Sequence, residues 1–400
     1  MTGVTAAYLL AKQGVSVALI EASQVLNGTT GHTTAKITSQ HGLIYDELIQ
    51  HFGLENAQLY HQANEEGAKL IENLIHELKI DCDYEKQDAF LFTNDDDYVE
   101  KLANEQKAYE KIGIDGALQE SMPLQIPIKS SLIMRNQAQF HPLKYLKVLL
   151  EACEQLGVAI YEGTTGMDVE FNKHPAVITN DGHRVQCKYV ISASHFPFFD
   201  GQGFYFARMY AERAYAITFN AHEKYPQGMY INAEQPTRSI RKVTINGEDR
   251  WLVGGETHKT GQGKPTKQYY VALKKYAETH FSVKDYLYRW STQDLTTLDK
   301  VPYIGQLTKG HQNIFVATGF RKWGMTHSTI AAKIISDQII GKENPYVALY
   351  TPSRFKPDPS LKNITTMNAD FAKHLVKGKI EQTKYNVEIE DLKRDQATVK

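Results

Sequence analysis

Three stretches of the chain carry residues whose type and spacing suit chemistry. Near the start, Gly3 is followed by a helical stripe and an apolar run, "VSVALIE", that ends at Glu21, about 18 residues on. An acid at a strand tip at that distance accepts hydrogen bonds from the ribose hydroxyls of a nucleotide, and a glycine at the helix start lets helix and strand pack closely. Near the far end, "NIFVATG" runs into a turn bracketed by glycines, "GFRKWG", and a helix is predicted from about Met325. Thr326 and Ser328 can satisfy free amides there, and the positive end of the helix stabilises negative charge developing on a heterocycle in the turn. Between them, "QPTRSIRKV" offers Arg238 and Arg241 as planar forks for a carboxylate. Residues three apart on a strand face opposite ways, so at most one of the two points into a site. Tyr230, Arg321, Lys322 and His32 are further polar candidates.

The elements that must position these residues follow from periodicity. Helices are predicted over 3–13, 55–80, 97–112, 142–156, 266–281 and 325–340. Gly14 fits the left-handed position that ends the first helix. "VSVALIE" reads as a buried strand, apolar on both faces. Residues 27–42 are small and hydroxylic, a loop built for close approach to a ligand. Short strands follow from 157 to 193 and again over 212–255, where N-G-E-D suggests a hairpin turn; further strands are expected at 285–291, 301–304 and 313–317. The aromatic run at 195–210 reads as core or as a pocket lining.

The pattern is neither plain α/β alternation nor all-β. It fits a nucleotide-binding α/β layer interrupted by a mostly antiparallel sheet. A net charge of −1 with interspersed signs gives no reason to expect nucleic acid or an anionic membrane as the main partner. The absence of a long apolar run or leader pattern makes a cytoplasmic protein the expectation. Cys82, Cys153 and Cys187 are scattered and the 15 histidines show no helical H-x-x-x-H pairing, so no metal site is expected.

Together, "GTTGHTTAKITSQHG", "HFPFFDGQGFYFARMY", "LVGGETHKTG" and "ATGFRKWGMT" give a more specific pattern. Over roughly residues 1–355 the chain resembles the FAD-dependent oxidoreductases of the D-amino-acid oxidase (DAO), glycine oxidase and sarcosine oxidase family. Within it, the chain is most similar to the bacterial branch that carries a Rieske [2Fe-2S] domain behind the flavin domain.

The resemblance implies an α/β fold with an FAD-binding, Rossmann-like (glutathione-reductase-like) layer over 1–84, 141–203 and 291–350. A mostly antiparallel β-sheet substrate domain with helices would occupy 85–140 and 204–290, and 351–400 would be a C-terminal arm or linker. Because Met1 stands where the first helix is entered, the layer is expected to be truncated at its first strand. The resemblance places Gly3, Glu21, Thr29, Thr30, Thr33, Thr34, Ala35, Lys36, Ala193, Gly319, Trp323, Gly324, Met325 and Thr326 at a non-covalent FAD. No cysteine lies in "RWSTQDLTTLDKVPYIG", where some sarcosine oxidases attach the flavin. Ser194 replaces the usual glycine of the strand end at 189–195, and Gly166 stands at an adenine-contacting position.

The reaction so implied removes a hydride from the C–N carbon of a small amine or amino acid. Lys36, Arg241 and Thr326 are the catalytic candidates, and a Rieske-type iron–sulfur partner is a candidate electron acceptor. The alternative is a non-catalytic, cofactor-poor domain of this type that serves as a binding or scaffold module.

Overall fold

The computed structural model describes residues 1–199, 203–354 and 360. The arm expected at 351–400 is therefore described only to Arg354 and at Ser360, and its remainder lies outside the described residues.

The chain opens with α1 (Thr2–Ala11), β1 (Ala18–Ile20), a 3-10 turn at Thr29–His32 and β2 (Lys36–Ile37). Next come α2 (Tyr45–Phe52), α3 (Leu54–Leu78), β3 (Glu85–Thr93), α4 (Asp96–Ile112), β4 (Gly116–Gln119), β5 (Ser130–Gln139) and α5 (Pro142–Gln155). Short strands follow: β6 (Ala159–Tyr161), β7 (Gly166–Glu170), β8 (Ala176–Thr179), β9 (Arg184–Gln186) and β10 (Val190–Ser192). A single turn, α6 (Tyr205–Arg208), leads into β11 (Met209–Ala221), β12 (Met229–Asn232), β13 (Arg238–Ile245) and β14 (Glu248–Lys259). The described chain closes with α7 (Thr266–His280), β15 (Val283–Thr297), β16 (Tyr303–Gln306), β17 (Ile314–Thr318), α8 (Gly324–Ile339) and α9 (Val347–Tyr350).

The fold is mixed α/β. One large sheet runs β15-β11-β14-β13-β12-β3-β5-β2, with β4 on the far side of β5; only β12 and β3 pair in parallel. Two parallel pairings tie the middle of the chain to its ends: β6 pairs with β1 in a two-stranded sheet, and β10 pairs with β17 in a separate sheet completed by β16. The Asn246-Gly247 turn between β13 and β14 has φ of 53° and 78°, as a two-residue hairpin with right-handed strand twist requires.

Several expectations change. The first strand is three residues long, not seven, and is not buried: Ala18 is exposed and Leu19 and Ile20 are half-buried, because this strand borders a cavity. The strand expected at 285–291 extends to Thr297, since it pairs along its length with β11. Strands β3 and β5 and helix α2 had no reading in the sequence. The aromatic run divides: Phe199 and Tyr205 are buried, Phe204 and Phe206 are about 60% exposed, and residues 200–202 lie outside the described residues. Gly3 opposes a neighbour other than its own strand: a Cβ there would touch Cβ of Ala193 at 3.5 Å, an ordinary contact.

What positions the end of the chain is the packing of α8. It is buried nearly all round, on α3 through Ile330, Ile334 and Ile335, and on α1. Gly67 of α3 makes this possible, because a Cβ there would sit 2.8 Å from the Thr326 carbonyl and 3.4 Å from Cβ of Ile330. Gly67→Ala is therefore expected to push the start of α8 outward and cost about 1–3 kcal/mol. Urea unfolding of the two proteins measures this, and an unchanged midpoint would contradict the packing.

Candidate active site

A cavity of about 1560 Å³ lies where the parallel layer meets the large sheet. That exceeds the usual size of a pocket for one drug-sized molecule and suits a dinucleotide together with a substrate. Two helix starts open onto it. Met1, Thr2 and Gly3 bring the first turn of α1, and Trp323, Gly324 and Met325 bring the first turn of α8. No side chain caps either helix. Each therefore points unsatisfied N–H groups and the positive end of its dipole at the same space, an arrangement that favours anionic and electron-rich ligands.

Glu21 borders the cavity just past β1. Its Oε1 accepts from the Ser23 amide at 3.0 Å, which fixes the carboxylate. Thr29, Thr30, Thr33, Thr34, Lys36 and His32 line the wall beside it, and Trp290 Nε1 ties the loop to β15 by donating to the His32 carbonyl at 2.8 Å. Ala193, beside Gly3, also lines the cavity, as do Ser194, His195 and Gly166.

Four expected residues do not line the cavity. Ala35 is fully buried with φ of 49°, shaping the loop from behind. Gly319, φ 79°, faces Thr297: a Cβ there would lie 2.4 Å from its Cγ2, so close approach requires the glycine. Thr326 is also buried; its hydroxyl donates to the Thr38 carbonyl at 3.2 Å and so caps nothing. Ser328 likewise bonds back to the Gly324 carbonyl. Arg241 is buried behind Lys36, where its Nη1 reaches the carbonyl of Ala35 at 3.5 Å and Oε1 of Gln139 at 3.3 Å. Among the other candidates, Arg238 is buried in an ion pair with Glu256, and Tyr230 is buried against Phe90.

The walls differ in charge. Lys36 half-borders the cavity; its Nζ donates to the Tyr230 carbonyl at 3.0 Å, and burial, with Arg241 adding to it, brings its amine down to about 7. On the strands of the large sheet, Asp294 of β15 lies across from Glu212 of β11. Lys322 stands between them at 3.8 and 3.9 Å. Burial pushes Asp294 up to about 6, with Lys322 opposing.

Beneath the start of α8 lies a buried cluster that sequence reasoning missed, because its members come from loop, helix and far helix. His41 stacks on Trp323 with centroids 4.8 Å apart, and its Nδ1 pairs with the Tyr60 hydroxyl at 2.7 Å. That hydroxyl also meets His327 Nε2 at 3.1 Å, while Arg321 Nη2 donates to the His41 carbonyl at 2.7 Å. The cluster fixes the indole that closes the turn. His41 lies in the string "GTTGHTTAKITSQHG" and Arg321 and Trp323 in the turn, but no sequence motif marks Tyr60 and His327 as their partners. Asp294 was missed for a different reason, since the strand carrying it was expected to stop short.

Residues 1–338 match the family model described as "DAO: FAD dependent oxidoreductase". The chain belongs to this family. Within it, 48% of 392 aligned residues are identical to YhfW of Bacillus subtilis (strain 168), a protein named for a Rieske 2Fe-2S iron–sulfur centre. That match covers 98% of this chain and 77% of YhfW. The gamma-glutamylputrescine oxidoreductase of Escherichia coli (strain K12) is 23% identical over 353 residues, 85% of this chain and 82% of its own length. In fold, glycine oxidase from Geobacillus kaustophilus superposes with a TM-score of 0.73 at 17% identity, over 88% of this chain and 96% of that one. The family binds FAD, and the cavity fits that cofactor: two uncapped helix starts and the Glu21 carboxylate are the donor and acceptor set it needs.

The buried imidazoles make the cluster sensitive to acid. Burial and Arg321 hold His327 down to about 3, and burial, His327 and Arg321 hold His41 well below its usual value. Unfolded, each takes a proton near 6.5. The unfolded state thus binds more protons, and this part of the stability is lost as pH falls from 6.5 towards about 3. His327→Gln should therefore gain on the natural protein in urea midpoint between pH 7 and pH 5; a difference that does not change with pH would contradict it.

Proposed function

We propose that the protein oxidises a small amine or amino acid at its C–N carbon, with non-covalent FAD in the cavity and an iron–sulfur protein or domain as the electron acceptor. The observation that carries the cofactor half is the convergence of two uncapped helix starts and Glu21 on one cavity. On this reading Glu21 takes the ribose hydroxyls, and Met1, Thr2 and Gly3 with Thr29 and Thr30 border the pyrophosphate. The first turn of α8, with Trp323 and Gly324, would receive the ring edge that becomes electron-rich. When bound, the flavin supplies hydride acceptance. The parallel layer, expected over 1–84, 141–203 and 291–350, would hold that cofactor, and the sheet over 85–140 and 204–290 would hold the substrate.

What the chain itself does is bind, orient and exclude water. Lys36 and the face of β14 and β15 bounded by Gly254, Thr257, Thr292 and Asp294 also line the cavity, and Asp294 stands next to Lys322 at the entry to α8. Support for an amine or amino acid comes from the relatives, one named for gamma-glutamylputrescine and one for glycine. Support for an iron–sulfur acceptor comes from the name of YhfW.

The test is anaerobic. Purified full chain should take up about one FAD per chain, and its flavin absorbance should bleach on adding one of glycine, sarcosine, L-proline or putrescine. Folded protein that takes up no FAD would support the scaffold reading instead. The reduced protein should then react slowly with oxygen and quickly with a Rieske-type protein, whereas rapid peroxide formation would remove the iron–sulfur acceptor from the account.

A further inference from the structure

Half-buried Lys36 at the cavity wall and buried Arg241 behind it stand together without an anion. Arg241 is only 4% exposed, and its acceptors are a carbonyl and an amide oxygen, with Nε unpartnered. Lys36 is next to Ala35, whose carbonyl the guanidinium reaches, and its one hydrogen bond goes to the Tyr230 carbonyl. Among the described residues neither forms an ion pair. Two neighbouring charges of one sign, drawn out of water, favour discharge of one of them. An arginine does not lose its proton readily, so the lysine is the group that yields.

The surroundings provide no compensating charge. From β3, Glu85 is taken by Lys242 at 3.0 Å and by Gln139 at 3.0 Å. From the segment before β12, Tyr225 is a buried phenol held well above its ordinary value, hence uncharged. From β12, the Tyr230 phenol turns away to the Gln227 carbonyl. His141, at the start of α5, is kept below its usual value by burial, with Arg241 and Lys144 adding to that.

We propose that Lys36 is the proton acceptor of the reaction: its uncharged Nζ takes a proton from the ammonium of the bound amine, and Arg241 is a positioning residue whose like charge adds to burial in keeping Nζ uncharged. This rests on the amine-oxidising reading above. An uncharged Nζ has two N–H groups and one lone pair; one N–H is used on the Tyr230 carbonyl and the lone pair is left for the substrate. In the step, one N–H bond of the ammonium breaks and a new one forms at Nζ. The electron pair stays on the substrate nitrogen, and nothing is oxidised or reduced. The amine so freed has the lone pair that must support loss of hydride from the neighbouring carbon. A lysine discharged by a neighbouring cation is a known way to make a base that works near neutral pH.

The first test needs neither substrate nor flavin. Acetic anhydride labels uncharged lysines, and peptide mass spectrometry of the full chain, labelled from pH 5 to 11, gives a midpoint for each one. Lys36 should label with a midpoint near 7 and surface lysines near the ordinary value of about 10.4. In Arg241→Gln the Lys36 midpoint should rise by roughly one pH unit or more. A Lys36 midpoint that matches surface lysines overturns the proposal, as does one that Arg241→Gln leaves in place. The wild-type midpoint decides by itself if that variant does not fold.

The second test separates base from charge. With whichever of glycine, sarcosine, L-proline or putrescine bleaches the flavin, Lys36→Met and Lys36→Arg should both lose on the order of 100-fold in reduction rate at pH 7. Loss in Lys36→Arg is the informative part, because that variant keeps the charge and cannot accept a proton. Retained rate in Lys36→Arg would overturn the proposal. If no amine bleaches the flavin while the labelling behaves as expected, the amine reading fails and the discharged lysine stands.

Discussion

Everything at this site depends on one constraint, the placement of an uncapped helix start. The first turn of α8 has no side chain to satisfy its amides, since Thr326 and Ser328 both turn to carbonyls. Free amides are stable here only because they face a cavity. The helix is driven into that position by an apolar body buried nearly all round, against α3 where Gly67 admits the Thr326 carbonyl, and against α1. The first turn of α1 faces the same space. The parallel pairings of β1 with β6 and of β10 with β17 hold the strands beside these helices, in two separate sheets. A cofactor with an anionic middle and an electron-accepting ring is the ligand this arrangement suits.

The wall that the large sheet provides is built on a different principle. The large sheet provides a surface on which charge can be set strand by strand: Arg241 on β13 beside the Lys36 of β2, and Glu212 with Asp294 on β11 and β15. Neither group is paired in the usual way. The cations lack an anion, and Lys322 sits beyond hydrogen-bond distance from both acids. Burial then decides protonation, lowering the lysine and raising the aspartate, so that both come within reach of neutral pH. The His41, Tyr60 and His327 cluster under Trp323 is the complementary case, linked through the Tyr60 hydroxyl and held uncharged, with His327 Nδ1 left without a partner, and it packs beneath the turn.

Much of this was legible in the sequence, and the failures have physical causes. Gly3, Glu21, the hydroxyl-rich loop and the Trp323–Met325 turn line one cavity because their signals are local: a helix start, a strand tip, a glycine-bracketed turn. Ala35 and Gly319 matter for backbone shape, not contact, and a motif does not distinguish those roles. Arg241 was visible as a fork for a carboxylate but is a buried neighbour of the lysine. The alternation argument correctly sends Arg238 to the other face, into its pair with Glu256, yet it carries no depth information. The role of His41 was invisible because its partner His327 is 286 residues away, and that of Asp294 because its strand runs past the length expected.

The central claim is that one cavity, closed by both ends of the parallel layer, holds the flavin with its ring at the start of α8. A crystal structure of the flavin-loaded full chain tests that claim most directly. The account predicts density for FAD with its ribose at Glu21 and the pyrimidine edge of its ring against the amides of Gly324 and Met325. Density with the ring at the Glu21 end, or outside this cavity, would contradict it.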